Sequence, residues 1–229
     1  MDIQDKPTKK FYGLFQYIFD FYNDELFDNQ IKDCLIVITR KKNVAGHYAF
    51  KRWYHNENLE TDELALNPSM FLKFPLIEIC QTVVHEMAHG WQFHYGTPSR
   101  PGYHNKEWSD KMIDLGLMPS STGQVGGKTV GQAMSDYPIN DGKFLEATEE
   151  LLNSDIFSGL FLEINPDIAE LINPDTPLFD QIKDLTLADH ESKPKKLTKI
   201  KYSCGCSNVW GKPDLDINCN ACGTLMFPN

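Results

Sequence analysis

His85, Glu86 and His89 stand in the pentapeptide His85-Glu86-Met87-Ala88-His89, within the largely apolar residues 76–91. On an α-helix, positions four apart differ by about 40° around the axis and one turn along it, so both imidazoles can face one metal ion. Glu86 then lies beside that ion without having to bind it. Hydrolysis by a metal-activated water needs these two things, an ion that lowers the pKa of water and a carboxylate that takes its proton. Leu76, Ile77, Val83, Val84, Met87 and Ala88 mark the helix as a buried one. Two histidines and a glutamate on one buried stripe would be costly without a metal.

A catalytic zinc takes a third protein ligand and keeps one position open. The candidates are His47, His55, His94, His104 and His190. His94 lies nine residues beyond His85, roughly on the opposite side of the same helix. His47 and His55 fall among strand candidates, and His190 in a linker. His104, in Tyr103-His104-Asn105-Lys106-Glu107-Trp108, follows the helix after a loop long enough to return to the metal. Trp108, four residues on, can anchor that segment in the core. His104 is therefore the expected third ligand.

Four of the six cysteines, Cys204, Cys206, Cys219 and Cys222, lie near the C-terminal end of the sequence. Cys219-x-x-Cys222 has the spacing of a metal knuckle, and four thiolates close a structural zinc site. Cys204 and Cys206 have one residue between them rather than two, which leaves a strained knuckle or a substitute ligand open. In a cytosolic chain such pairs point to zinc rather than to disulfides. Cys34 and Cys80 stand alone in apolar surroundings and read as buried thiols. Residues 123–129 approach a phosphate-binding loop, but Thr122 stands where that pattern needs glycine and no clear strand precedes it. A flexible loop bordering the active-site cleft, able to act as a lid, is the expectation.

The elements that must position these groups can be read in turn. Residues 9–28 form an amphipathic helix, and the β-branched run 34–39 a strand. Residues 46–55 and 62–66 are two further strands, separated by a polar turn. Pro75 opens the long helix that carries the motif, and Gly96 stops it near Tyr95. A second helix is expected over residues 104–115, a Gly-rich stretch over 116–131, and helices over 144–153 and 165–172. The polar residues 1–10 lack the apolar core of a secretory signal, and no stretch reads as a membrane span. A cytoplasmic protein without membrane contacts is expected.

The net charge of −10 is unevenly placed. Residues 136–191 hold fourteen acids against Lys143 and Lys183, a local charge of −12, which leaves +2 elsewhere. Lys193, Lys195, Lys196, Lys199 and Lys201 then form a run free of acids. Such a run reads first as a solvated linker.

Residues 35–108 resemble the SprT-like domain of zinc metallopeptidases, the group to which the DNA–protein crosslink protease Spartan belongs. The likeness is carried by Ala45-Gly46-His47-Tyr48, Asp62-Glu63-Leu64-Ala65-Leu66-Asn67-Pro68, the His85–His89 motif, and His104 with Glu107-Trp108. The cysteine segment resembles the zinc ribbon that follows this domain in bacterial members. The acidic residues 136–191 are not part of the shared pattern.

The resemblance implies an α+β, zincin-like domain, in which a small antiparallel sheet packs with an active-site helix, plus a small zinc ribbon. The expected division is 1–135 peptidase domain, 136–201 acidic region and basic linker, and 202–229 ribbon. It implies His85, His89 and His104 as ligands of a catalytic zinc, and Cys204, Cys206, Cys219 and Cys222 of a structural one. Glu86 would be the general base of a zinc endopeptidase acting on protein substrates. It suggests substrates near DNA, contacted through residues 193–201 and the ribbon, with the acidic region as a DNA mimic or autoinhibitory cover. Tyr95, Arg100, Tyr103 and Tyr137 are candidates to stabilise the oxyanion, though structural or surface roles suit each of them better. The rival reading is a zinc-stabilised DNA- or protein-binding adaptor with an inactive peptidase-like site; a third is a zinc hydrolase acting on something other than peptides.

Overall fold

The structure, a computed structural model, describes residues 6–42, 44–56, 59–163, 173, 175–176, 200–212 and 214–228. They fall into two compact units, residues 1–188 and 189–229. The expected helix over 165–172 and the lysines before Lys201 lie outside the described residues.

In the first unit, α1 (Pro7–Phe27) buries Leu14, Phe15, Ile18, Phe19, Tyr22 and Leu26, spaced one helical turn apart. Three strands follow: β1 (Cys34–Ile38), β2 (Gly46–His55) and β3 (Leu59–Leu66), in the order β1-β3-β2. The β2–β3 hairpin is antiparallel, as expected, and β1 joins β3 in parallel, making the sheet mixed. The hairpin strand β3 inserts between β1 and β2, so the chain leaving β1 reaches its neighbour only after running out and back.

A short 3-10 helix (Pro68–Lys73), capped by the Asn67 side chain, leads to α2 (Leu76–Tyr95). Pro75 sits at its N-cap, where a missing N–H costs nothing, and Gly96 ends it. Helix α2 lies against the sheet and buries Ile79, Cys80, Val83, Val84, Met87 and Ala88. Next come α3 (Lys106–Asp114), β4 (Leu117–Ser120), β5 (Ser135–Pro138) and α4 (Lys143–Asn153).

Two elements here were not foreseen. The Gly-rich stretch is flanked by β4 and β5, which pair antiparallel from Leu117↔Pro138 to Ser120↔Ser135. The first part of the acidic region is also integral: Phe144, Ala147 and Leu151 of α4, with Phe157 and Leu160 beyond it, belong to the main core. Tyr22 and Thr148 hydroxyls, 2.8 Å apart, tie α1 to α4 inside that core. A boundary drawn at residue 135 therefore cuts a packed hairpin, because acidity lies on the outer face of α4 and its inner face is apolar.

The second unit is a four-stranded antiparallel sheet of β6 (Ile200–Ser203), β7 (Asn208–Gly211), β8 (Ile217–Asn218) and β9 (Leu225–Pro228), ordered β7-β6-β9-β8. Its small core is Tyr202, Cys219 and Met226. No helix among the described residues is long and apolar enough to cross a membrane.

Candidate metal centre

Helix α2 carries His85 and His89 on one face, as their spacing requires. His104 lies just ahead of α3, whose N-cap Asn105 accepts from the Trp108 N–H at 3.1 Å. Its return to α2 is fixed by Gln92, 2% exposed, whose amide donates to Asn105 Oδ1 and Glu107 Oε2, both at 2.7 Å. Glu107 Oε2 also accepts from the Thr97 N–H at 2.7 Å, and Asn105 donates to the Thr97 carbonyl at 3.0 Å. The loop leaving α2 is thus stitched to the start of α3.

The result is a convergence of three ring nitrogens. His104 Nε2 lies 3.2 Å from His89 Nε2 and 3.3 Å from His85 Nε2. Trp108, fully buried, forms the floor, with its ring 4.4–5.3 Å from all three imidazoles. The other nitrogens of two rings are engaged. His85 Nδ1–H donates to Asp136 Oδ2 at 2.9 Å, and His104 Nδ1–H to the Gly131 carbonyl at 3.3 Å. A carboxylate and a carbonyl only accept, so each of these rings turns a bare Nε2 lone pair towards the others. Lone pairs packed this closely repel unless a cation lies between them. Nitrogens spaced by about 3.3 Å are the edge of a tetrahedron with metal–nitrogen distances of roughly 2.0–2.1 Å, the distances zinc takes. The donor set therefore fits a small tetrahedral metal ion.

Burial lowers the affinity of His85 for a proton. The hydrogen bond to Asp136 and the charges of Glu86 and Asp136 outweigh this and raise its pKa above the usual value. Glu86, 7% exposed, is also raised: burial is the main cause, opposed by His85 and by the Tyr48 backbone N–H. A buried carboxylate with a raised pKa beside a metal site suits a general base.

The remaining histidines are placed elsewhere. His94 Nε2 meets Asp62 Oδ2 at 2.6 Å on the far side of α2, and His47 Nε2 meets Glu63 Oε1 at 3.3 Å. His55 is exposed at the end of β2, and His190 lies outside the described residues. Among the oxyanion candidates, Tyr95 donates to the Gln30 carbonyl and Arg100 packs 5.2 Å over the Tyr103 ring. Asp136, Gln81, Gln92 and Gly131 were not foreseen. Gln81 was findable, as a polar residue one turn before His85 in an apolar helix; Asp136, 51 residues further on, had no local signature.

In the second unit the four cysteine ligand atoms all lie within 4.8 Å of one another. Cys204 Sγ and Cys206 Sγ are 3.3 Å apart, and Cys206 Sγ and Cys219 Sγ 3.4 Å. Gly205, at φ +84°, takes the left-handed turn that lets a one-residue spacer bring both thiols to one point. Hydrogen bonds from the Ser207 hydroxyl and the backbone N–H groups of Cys222 and Ala221 hold the Cys219 thiol down at about 5. Thiolates ligate and thiols do not; Cys219 is therefore prepared for a metal, whereas Cys206, pushed up to about 12 by its hydrogen bonds with Cys204, Cys219 and Cys222, would have to lose its proton on binding. Among the described residues these two clusters, three histidines and four cysteines, are the candidate metal sites.

Residues 15–124 match the SprT-like family. An uncharacterized protein in the mucB 3′ region of Salmonella typhimurium is 38% identical over 52 residues, 23% of this chain and 70% of that protein. No solved structure matches. The chain belongs to the SprT-like family.

Proposed function

We propose that the protein is a zinc-dependent endopeptidase of the SprT-like family, with His85, His89 and His104 as ligands and Glu86 as general base. The observation that carries this reading is the convergence of three Nε2 atoms at 3.2–3.3 Å, with Glu86 next in sequence to His85 and buried. A zinc ion held there would supply Lewis acidity, lowering the pKa of water and polarising a peptide carbonyl. Glu86 takes the proton from the attacking water and passes it to the leaving amine. Its burial keeps competing solvent from that proton, and its raised pKa brings base and acid forms closer in energy. Trp108 packs against all three imidazoles and shields that side of the site from water.

The substrate class we propose is protein, held near DNA. Strand register supports a nucleic-acid contact on the ribbon: Lys201 pairs with Trp210 and Ser203 with Phe227, so Lys201, Trp210 and Phe227 share a face. Trp210 is 68% and Phe227 64% exposed. Two exposed rings beside a lysine make a stacking platform for unpaired bases. The same face also favours the second reading, a zinc-stabilised DNA- or protein-binding adaptor whose peptidase-like site is inactive.

One comparison separates them. Wild type and Glu86→Gln, both loaded with zinc, are incubated with an unstructured protein with and without single-stranded DNA. The expected result is cleavage by wild type, a loss of about 10²–10⁴-fold in Glu86→Gln, and unchanged zinc content. Equal DNA binding with cleavage by neither protein would leave the adaptor standing.

A further inference from the structure

The three imidazoles fall within or close to α2, but what aims two of them comes from later in the chain. The family match ends at residue 124, and β5 begins at Ser135. The hairpin of β4 and β5 reaches back to the site at two points. Gly131 pairs with His104 through both backbone bonds, N–H to carbonyl at 2.8 and 3.0 Å, and its carbonyl also receives His104 Nδ1–H. Five residues on, Asp136 receives His85 Nδ1–H.

Asp136 is not a passing surface acid. Its side chain is 7% exposed, and that of His85 13%. Each of its oxygens has a partner: Oδ2 takes the His85 N–H, and Oδ1 takes the Gln81 amide at 3.0 Å. The same amide lies 3.3 Å from the Asp136 backbone carbonyl, so Gln81 grips both side chain and strand. Gln81 stands one turn before His85 on α2. Ligand and carboxylate are therefore held by one helix, and the carboxylate's own strand is paired with β4 from Leu117↔Pro138 to Ser120↔Ser135. A buried carboxylate with both oxygens engaged has little freedom to turn away.

We propose that Asp136, gripped by Gln81, is the positioning residue of the histidine metal site. It fixes the His85 ring with its proton on Nδ1 and its Nε2 lone pair on the metal. Carboxylates in this position orient a ligating imidazole and raise its basicity, and their loss weakens metal binding by about 10–100-fold. The inference rests on the proposed reading only in requiring that a metal bind the three histidines. It makes Gly131 and Asp136, beyond the family-matched residues, part of the site, although the sequence places Asp136 at the edge of an acidic stretch.

The test is zinc affinity of the full-length protein by chelator competition, which reads the histidine and cysteine sites as separate phases. Asp136→Ala should weaken the histidine phase by about 10–100-fold and leave the cysteine phase unmoved. Asp136→Asn keeps an oxygen that can accept from Nδ1–H, so it should recover part of the loss and guards against a folding defect in the alanine variant. Gln81→Leu, which frees the carboxylate, should fall between wild type and Asp136→Ala. Peptidase activity lost at limiting zinc should return in Asp136→Ala when zinc is in excess. Wild-type affinity in Asp136→Ala would overturn the proposal. So would equal losses in both phases, which would make Asp136 a general prop of the fold. A wild type that binds zinc at the histidines yet cleaves nothing would instead defeat the peptidase reading and leave this one intact.

Discussion

Burial, then the charge of His85 and of His104, holds the His89 imidazole down at about 2; burial, then His85, holds His104 at about 4. In the unfolded chain both would take a proton near 6.5. Between about 6.5 and 4 the unfolded chain binds more protons than the folded one at these positions, so their contribution to stability falls as pH falls. His85 acts the other way: its raised pKa adds stability below the unfolded value, lost as pH rises through the folded one. Glu86, also raised, favours the folded state in acid. The comparison that isolates His104 is metal-free wild type against metal-free His104→Gln, melted at a series of pH values. Wild type should lose at most about 1.5 kcal/mol relative to the variant between pH 6.5 and 5, less in proportion to solvent screening of the ring. A constant difference across that range would mean that His104 is not held neutral by its surroundings. Neutral imidazoles are the form a metal binds, so His89 and His104 stay ready well into acid, whereas His85, with its raised pKa, must give up a proton to the metal.

At the scale of elements, helix α2 does two jobs with opposite faces, and one glycine lets it do both. Gly90 follows His89, and a Cβ there would meet the Tyr48 ring at 2.8 Å. Tyr48 in turn donates to Asp62 Oδ2 at 3.1 Å, the same oxygen that meets His94 Nε2. The close approach of β2 to α2 therefore links the back of the helix to a buried carboxylate. Gly90→Ala should cost about 1–3 kcal/mol in a denaturant melt through overpacking, despite the higher helix propensity of alanine. A melt equal to that of wild type would show that Tyr48 moves aside freely.

Much of this level could be read from sequence, because α1 and α2 bury one face each and their apolar residues recur at helical spacing. Pro75 and Gly96 marked the ends of α2 for the same local reasons. The strands β4 and β5 could not be read that way. They are four residues each, separated by a Gly-rich loop, and held by pairing with one another rather than by any periodic pattern. Asp136 was hidden with them, since its role depends on contacts with Gln81 and His85 across more than fifty residues of chain.

Over the whole molecule, the two candidate metal sites differ in what a metal would do for folding. The first unit has a core of 28 buried residues from α1 to beyond α4, enough to hold α2 and α3 together without a metal. Among its described residues the second unit buries Tyr202, Cys219 and Met226, far too little to offset the entropy of ordering its strands. A metal held by its cysteines would supply the missing stability, as in small metal-dependent domains generally. Metal counting and amide exchange together test this division. Wild type should carry two zinc ions, and His104→Ala and Cys219→Ser one each. In Cys219→Ser the amides of β6 to β9 should exchange freely while those of α2 keep wild-type protection. In His104→Ala both units should remain protected. Protected ribbon amides in Cys219→Ser would mean that the strands fold without their metal. A count of two in His104→Ala would remove that histidine from the site, and with it the convergence on which the peptidase reading depends.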